Sequence, residues 1–391
     1  MGNPLVSCDD HLDLNMLPAD LWEKWLPDPL KDRAPHIEVR DDKAMWVCEG
    51  DVWGSWAGRA SAEEGPKMNL NAYDRGGIAD QTQRRAGTAE LRLADMDRDG
   101  VYAQLIFGPV TSINHKDTEL RDACYTAYND WLADFCSAAP DRLLGVAMLP
   151  EDPESAFAEF NRLAAKHCFR QVNLQIAACE TPIYDERWAP LLTAVEESGL
   201  VLSFHVVVFL GGRGPNPARG KPAGALVHAK SFVEQFIDPF VDLFAWGVLE
   251  KHPRLRIVFG ESGVGWLPWL IEELDYRHWR LWEAKDYWAE RGGIPLVHKP
   301  SELFKRQVYA TFQESPTAIR LLDFYGSNNL LWASDYPHPD SVWPNSHAAI
   351  ERQMGHLPGD IVRQLTFGNA ARLYGLDLPE SVEFPQAAAA E

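Results

Sequence analysis

Four places in this chain put a carboxylate or an imidazole directly behind a short apolar run. Leu5-Val-Ser-Cys opens into Asp9-Asp10-His11, and the run from Leu200 ends on His205. Arg256-Ile-Val-Phe-Gly is followed by Glu261, and Asn329-Leu-Leu-Trp-Ala leads through Ser334 to Asp335, with His338 three residues on. Short apolar runs of this kind read as buried strands, and a carboxylate at the end of one has lost solvent and needs positive charge to compensate it. Asp335 is therefore a candidate metal ligand or catalytic base rather than only a turn cap, and His338 would overhang the same mouth. One such residue means little; several at corresponding strand ends point to a metal. The mixture of nitrogen and oxygen donors suits Zn²⁺, Mn²⁺ or Fe²⁺.

The elements that must position these residues follow from the pattern between them. Helices are expected over 88–98, 117–138, 153–166, 188–197, 229–250, 264–283 and 316–325, with strands at 102–107, 143–149, 170–176, 200–205, 255–260 and 307–312 between them. Adding the runs that open the chain and end at Asp335 makes eight strands alternating with helices, which implies a parallel sheet. No glycine-rich phosphate loop follows the first strand, so a closed (β/α)8 TIM barrel, class α/β, is favoured over an open doubly wound sheet. Residues 15–87, rich in Pro, Trp and Gly, read as a long insertion with one small hairpin inside a single 1–391 domain. Helices at 358–366 and 369–375 would pack outside, and 376–391 reads as a loose tail.

Composition narrows the partners. The formal net charge of −20 argues against nucleic acid and anionic membranes. No apolar run is long enough to span a bilayer, and the first residues lack the basic and apolar regions of a signal peptide. The six cysteines include no CxxC pair, which fits a reduced, cytoplasmic chain.

Taken together, DDH at the first strand end, FHV at the fifth, FGESGVGWLPWLIEELD at the sixth and WASDYPHPDSVWP at the eighth resemble the amidohydrolase superfamily. The match is to the amidohydrolase-related branch with aminocarboxymuconate-semialdehyde decarboxylase and the dihydroxybenzoate-type decarboxylases, and it covers roughly 4–14 and 88–375. The resemblance implies metal ligands at Asp9, His11, His205 and Asp335, with Asp335 also moving a proton; a second register would use His11 and Asp13. The sequence departs from the family at the sixth strand, where many members carry histidine and this chain has Glu261. A carboxylate there can ligate metal or accept a proton, so Glu261 is a candidate ligand and catalytic group beside Asp335 and His338, and it leaves room for a second metal. The fourth strand end, QVNLQI, offers no lysine for a dinuclear bridge, so one divalent ion is the default.

Secondary candidates are Arg75, Arg84 and Arg85 as a carboxylate clamp, His228 at a helix start, and Trp343 beside His338 at the pocket mouth. The Trp266/Trp269 pair reads as core or subunit interface. The implied activity is hydrolysis or non-oxidative decarboxylation of a small carboxylated molecule, the metal acting as a Lewis acid and activating water or chelating substrate. Two rivals are a non-haem oxygenase with two metals and a metal-binding structural partner of an active paralogue, using the Trp-rich arm as interface. The family also implies a homo-oligomer, a dimer or larger.

Overall fold

The computed structural model describes residues 4–40, 43–56, 85–110, 113, 115–164, 168–207, 223–291, 296–338, 341–377 and 379. The chain opens with strand β1 (Leu5–His11), then builds a small antiparallel sheet from β2 (His36–Arg40), β3 (Lys43–Cys48) and β4 (Asp51–Ser55). Seven more strands follow: β5 (Val101–Phe107), β6 (Leu143–Leu149), β7 (Gln171–Leu174), β8 (Val201–His205), β9 (Ile257–Gly260), β10 (Val308–Phe312) and β11 (Leu330–Trp332). They form with β1 an eight-stranded sheet in the order β1-β5-β6-β7-β8-β9-β10-β11, every pairing parallel. The two ends meet: Asp335 N–H donates to the Asp9 carbonyl at 2.9 Å and His11 N–H to the Tyr336 carbonyl at 2.7 Å. The result is the expected (β/α)8 barrel, with helices outside.

Parallel strands buried on both faces read as continuous apolar runs, which is why their ends were legible. Val6, Cys8, Ala103, Leu105, Val146, Val258 and Leu331 belong to one cluster, closed by Leu373 and Tyr374 of the last helix, Asn369–Tyr374. Tyr374 donates to Gln171, the first residue of β7, so this helix plugs the end of the barrel opposite the strand C-termini.

Three expectations are revised. The insertion holds a three-stranded sheet rather than a hairpin, and its indoles serve the chain itself: Trp46 donates to the Leu14 carbonyl at 2.7 Å and Trp56 to that of Leu17 at 2.9 Å. The helix expected at 229–250 runs Ala223–Ala245 and restarts at Val248, because Gly247 takes a left-handed conformation, φ 68°. The one expected at 316–325 is split into Pro316–Arg320 and Leu322–Tyr325. The tail beyond Asp377 lies outside the described residues, apart from 379. Among the described residues no helix is long and apolar enough to cross a membrane.

Candidate metal centre

The pairing of β1 with β5 slips between Ser7 and Asp10. Before the slip, Val6 and Cys8 face the barrel interior; after it, Asp9 and His11 converge on His205 and Asp10 turns away. A one-residue slip reverses the facing of everything beyond it, and here it decides which of two adjacent aspartates serves the site. Asp10 accepts from the Ser334 hydroxyl at 2.6 Å and the Tyr336 N–H at 2.9 Å. Burial pushes its carboxyl up to about 8 against the opposing pull of Arg92 and these hydrogen bonds. Arg92, wholly buried, donates to Gln104 and to the His11 carbonyl, fixing the strand end from behind.

Five donors face one another at the mouth. His11 Nε2 lies 3.4 Å from Asp9 Oδ1 and 3.5 Å from Asp335 Oδ1, while His205 Nε2 lies 3.1 Å from Asp9 Oδ1 and 3.6 Å from Glu261 Oε2. Such separations match donors sharing one cation, since bonds of about 2.1 Å put neighbouring ligands roughly 3.0–3.4 Å apart. Two observations support the fit. His205 Nδ1 is 2.9 Å from the Val206 carbonyl, which can only accept, so Nδ1 carries a proton and Nε2 is the nitrogen turned toward the Asp9 carboxylate. Both ring nitrogens of His11, fully buried, lack a hydrogen-bond partner among the described residues, a condition that calls for a bound group. Burial, with the neighbouring His338, lowers His11 to about 4, keeping it neutral as a ligand must be. Burial alone would raise Asp9, but His205 and His11 hold it far below the carboxylate range.

The second oxygen of Asp9 is pinned by the Thr311 hydroxyl at 2.7 Å and the Glu261 N–H at 2.5 Å. Glu261 and Asp335 both adopt left-handed backbone conformations, φ 51° and 60°, which cost about 1–3 kcal/mol each at a non-glycine residue. Gly260 has no room for a side chain: a Cβ would lie 2.6 Å from His205 Cδ2.

His338 stacks on His11, ring centroids 4.1 Å apart, and bridges two carboxylates: Nδ1 to Asp335 Oδ1 and Nε2 to Asp13 Oδ2, each 2.8 Å. Burial opposes its charge, but Asp335 and Asp13 outweigh that and keep it protonated well above the ordinary imidazole range. Asp13, the candidate of the alternative register, is engaged by His338 and by the Val110 N–H and belongs to neither donor group found among the described residues. A cavity of about 430 Å³ opens from the centre toward β9 and β10, lined by Asp9, Glu261, Asp335, Phe232, Trp266 and Phe312 among others, with no lysine or arginine among the described residues.

The structure thus brings Asp9, His11, His205, Glu261, Asp335 and His338 together. It does not bring Trp343 to the cavity: that indole is buried against Tyr336 and donates to the Asp95 carbonyl, because the chain after Pro337 folds back behind the site. Arg75 and Arg84 lie outside the described residues, as do the side chains of Arg85 and His228. Trp266 lines the cavity, whereas Trp269 is exposed. Sequence reasoning passed over Thr311, Gly260, Arg92 and the role of Asp13. Thr311 carried a usable signal, being the one aliphatic hydroxyl in the apolar β10.

A closed parallel barrel with imidazoles and carboxylates converging at the C-terminal strand ends defines a metal-dependent barrel enzyme. The amidohydrolase family model matches residues 46–376, and the chain belongs to that family. It is 29% identical over 264 residues to gamma-resorcylate decarboxylase of Rhodococcus jostii (strain RHA1), covering 64% of this chain and 75% of that protein. Among solved structures it resembles amidohydrolase map2389c from Mycobacterium avium subsp. paratuberculosis K-10 (TM-score 0.72, 18% identity, 96% of this chain and 100% of that one). It also resembles the manganese-bound 5-carboxyvanillate decarboxylase of Novosphingobium aromaticivorans DSM 12444 (TM-score 0.67, 20% identity, 96% and 97%).

Proposed function

We propose that the protein is a non-oxidative decarboxylase of a small aromatic carboxylic acid. The observation that carries the reading is the five-donor cluster opening onto a cavity walled by Trp266, Phe312 and Phe232. The Rhodococcus relative is itself an aromatic-acid decarboxylase. Asp9, His11, His205, Asp335 and Glu261 would hold one divalent ion; two overlapping donor groups can be drawn, but they share His11 and so describe one centre. Three carboxylates and two imidazoles suit manganese or iron(II) as well as zinc. Held by these residues, such an ion would supply a Lewis-acidic positive charge beside a cavity lining that has no lysine or arginine among the described residues.

The remaining work falls to the chain's own groups. Trp266 and Phe312 present apolar surface to an aromatic ring and keep water from it. Asp335, in its protonated form, gives its proton to the ring carbon bearing the carboxylate. The bond to CO₂ then breaks, its electron pair restores the aromatic ring, and one proton has been consumed. His338 replaces that proton through Nδ1–H on Asp335 Oδ1, and Asp13, 17% exposed at the edge of the site, holds Nε2–H and links the pair to solvent. Glu261, where many relatives carry histidine, takes the ion or a substrate hydroxyl with its carboxylate.

The test is a panel of hydroxybenzoates, with 2,6-dihydroxybenzoate and 5-carboxyvanillate first, incubated in D₂O with manganese-loaded enzyme. The expected result is CO₂ release with one deuterium at the vacated ring carbon, abolished in Asp335→Asn. Hydrolysis of an ester, lactone or amide without decarboxylation of any acid would refute the proposal.

A further inference from the structure

The two oxygens of the buried Asp9 carboxylate keep different company. Oδ1 faces the centre, 3.4 Å from His11 Nε2 and 3.1 Å from His205 Nε2. Oδ2 is turned to the ends of β9 and β10, where it accepts from the Thr311 hydroxyl at 2.7 Å and the Glu261 N–H at 2.5 Å. The same Glu261 N–H lies 2.8 Å from Thr311 Oγ1, so the hydroxyl accepts on one side and donates on the other. A hydroxyl has a single proton to give. Its other acceptor, the Phe259 carbonyl, is 3.5 Å away, so the proton goes to the nearer and charged oxygen of Asp9.

This division bears on how many donors the centre holds. Asp9, His11, His205, Glu261 and Asp335 give five atoms if each gives one, whereas an octahedral ion takes about six. A second oxygen from Asp9 would fill the place that remains. Carboxylates bind hard cations through one oxygen or through both, so an open place requires that Asp9 be restrained. An oxygen already accepting two hydrogen bonds in a buried site gives them up only at a cost. Thr311 itself lines the cavity with Asp9, Glu261 and Asp335, on the side from which a ligand would enter.

We propose that Thr311 is a positioning residue whose hydroxyl, with the Glu261 N–H, holds Asp9 to one-oxygen donation and so keeps one place on the ion for water or substrate. The inference rests on the metal centre proposed above. Strand β10 thereby governs the ion without touching it, through a side chain that the apolar run around it does not need for packing.

The manganese-loaded full chain tests it, wild type beside Thr311→Val and Thr311→Ser, through the relaxation of solvent water protons. Bound manganese enhances that relaxation in proportion to the water exchanging at the ion, and the measurement needs neither substrate nor turnover. Wild type and Thr311→Ser should give the same enhancement per bound ion. Thr311→Val should lose at least about half of it while keeping its manganese, as expected when the last of about six places is filled. The valine variant should fold, since Asp9 Oδ2 and the Glu261 N–H still satisfy each other; circular dichroism checks this. Equal enhancement in Thr311→Val and wild type would overturn the proposal. So would loss of manganese from Thr311→Val, which would make the hydroxyl a support for Asp9 rather than a restraint on it. A wild type whose bound manganese shows no exchanging water would overturn it whatever the variants do. A wild type that takes up no manganese or other divalent ion would instead overturn the metal centre itself.

Discussion

The two sides of the barrel mouth are built on opposite principles. On one side, the seam where β1 meets β11 is a network of short buried bonds. Ser7 and Asp10 hold Ser334, Asp10 also holds the Tyr336 N–H, Tyr336 holds Asp95, and Arg92 clasps the His11 carbonyl. On the other side, beyond β9 and β10, lies the cavity, with Trp266 and Phe312 on its walls. The seam fixes the donors, and the open side receives what they act on. Donors that must converge within a fraction of an ångström need a rigid backing, whereas a surface that selects ligands needs shape and contact area.

That division is open to attack by substitution. Asp10→Ala should have the largest effect on folding, about 2–4 kcal/mol, because it strands the Ser334 hydroxyl and the Tyr336 N–H in the interior and leaves a cavity behind them; chemical denaturation monitored by fluorescence measures it. Gly260→Ala lies on the boundary between the sides. Its Cβ must displace the His205 ring, so metal affinity should fall about 10–100-fold, read by competition with a chromogenic chelator. Trp266→Ala should raise KM for an aromatic acid by roughly tenfold with little change in melting temperature. If it destabilised the fold as much as Asp10→Ala, the contrast between a rigid seam and a receptive wall would fail.

Much of the site was legible because parallel strands announce themselves as apolar runs, and the chemistry of this fold lies where those runs end. That reasoning reached Asp9, His11, His205, Glu261 and Asp335. It gave no physical reason for Asp9 rather than Asp10 to face the mouth, since strict alternation from Val6 and Cys8 would have turned Asp10 inward; the slip in register reverses this and leaves no trace in composition. The partnership of Asp13 with His338 spans most of the chain and was hidden for the same reason that long-range contacts generally are. The tryptophans of the insertion suggested an interface, but Trp22 and Trp46 are buried within the chain, whereas Trp269, read with Trp266 as core or subunit interface, is exposed.

The smallest expected effect comes from the outer rim of the seam. Asp99 accepts from the Ser346 N–H at 2.9 Å and from its hydroxyl at 2.5 Å, and burial pushes its carboxyl up to about 7. A carboxyl raised on folding binds its proton more tightly in the native state, so stability is full below the unfolded value of about 4 and declines as pH rises toward 7. Asp99→Asn keeps an acceptor for the Ser346 N–H, lets its amide N–H donate to the Ser346 hydroxyl oxygen, and removes the titration. Its melting temperature should change less with pH across that interval than the wild type's, by differential scanning fluorimetry. An identical slope in the two proteins would remove Asp99 from the pH dependence.

The most direct test of the central claim is elemental analysis of the purified chain beside Asp335→Asn. The expected result is close to one divalent ion per wild-type chain, with most of it lost in the variant while the circular dichroism spectrum is unchanged. A wild-type chain that binds no divalent metal even when it is supplied, or a variant that retains a full equivalent, would contradict a metal centre built from Asp9, His11, His205, Glu261 and Asp335.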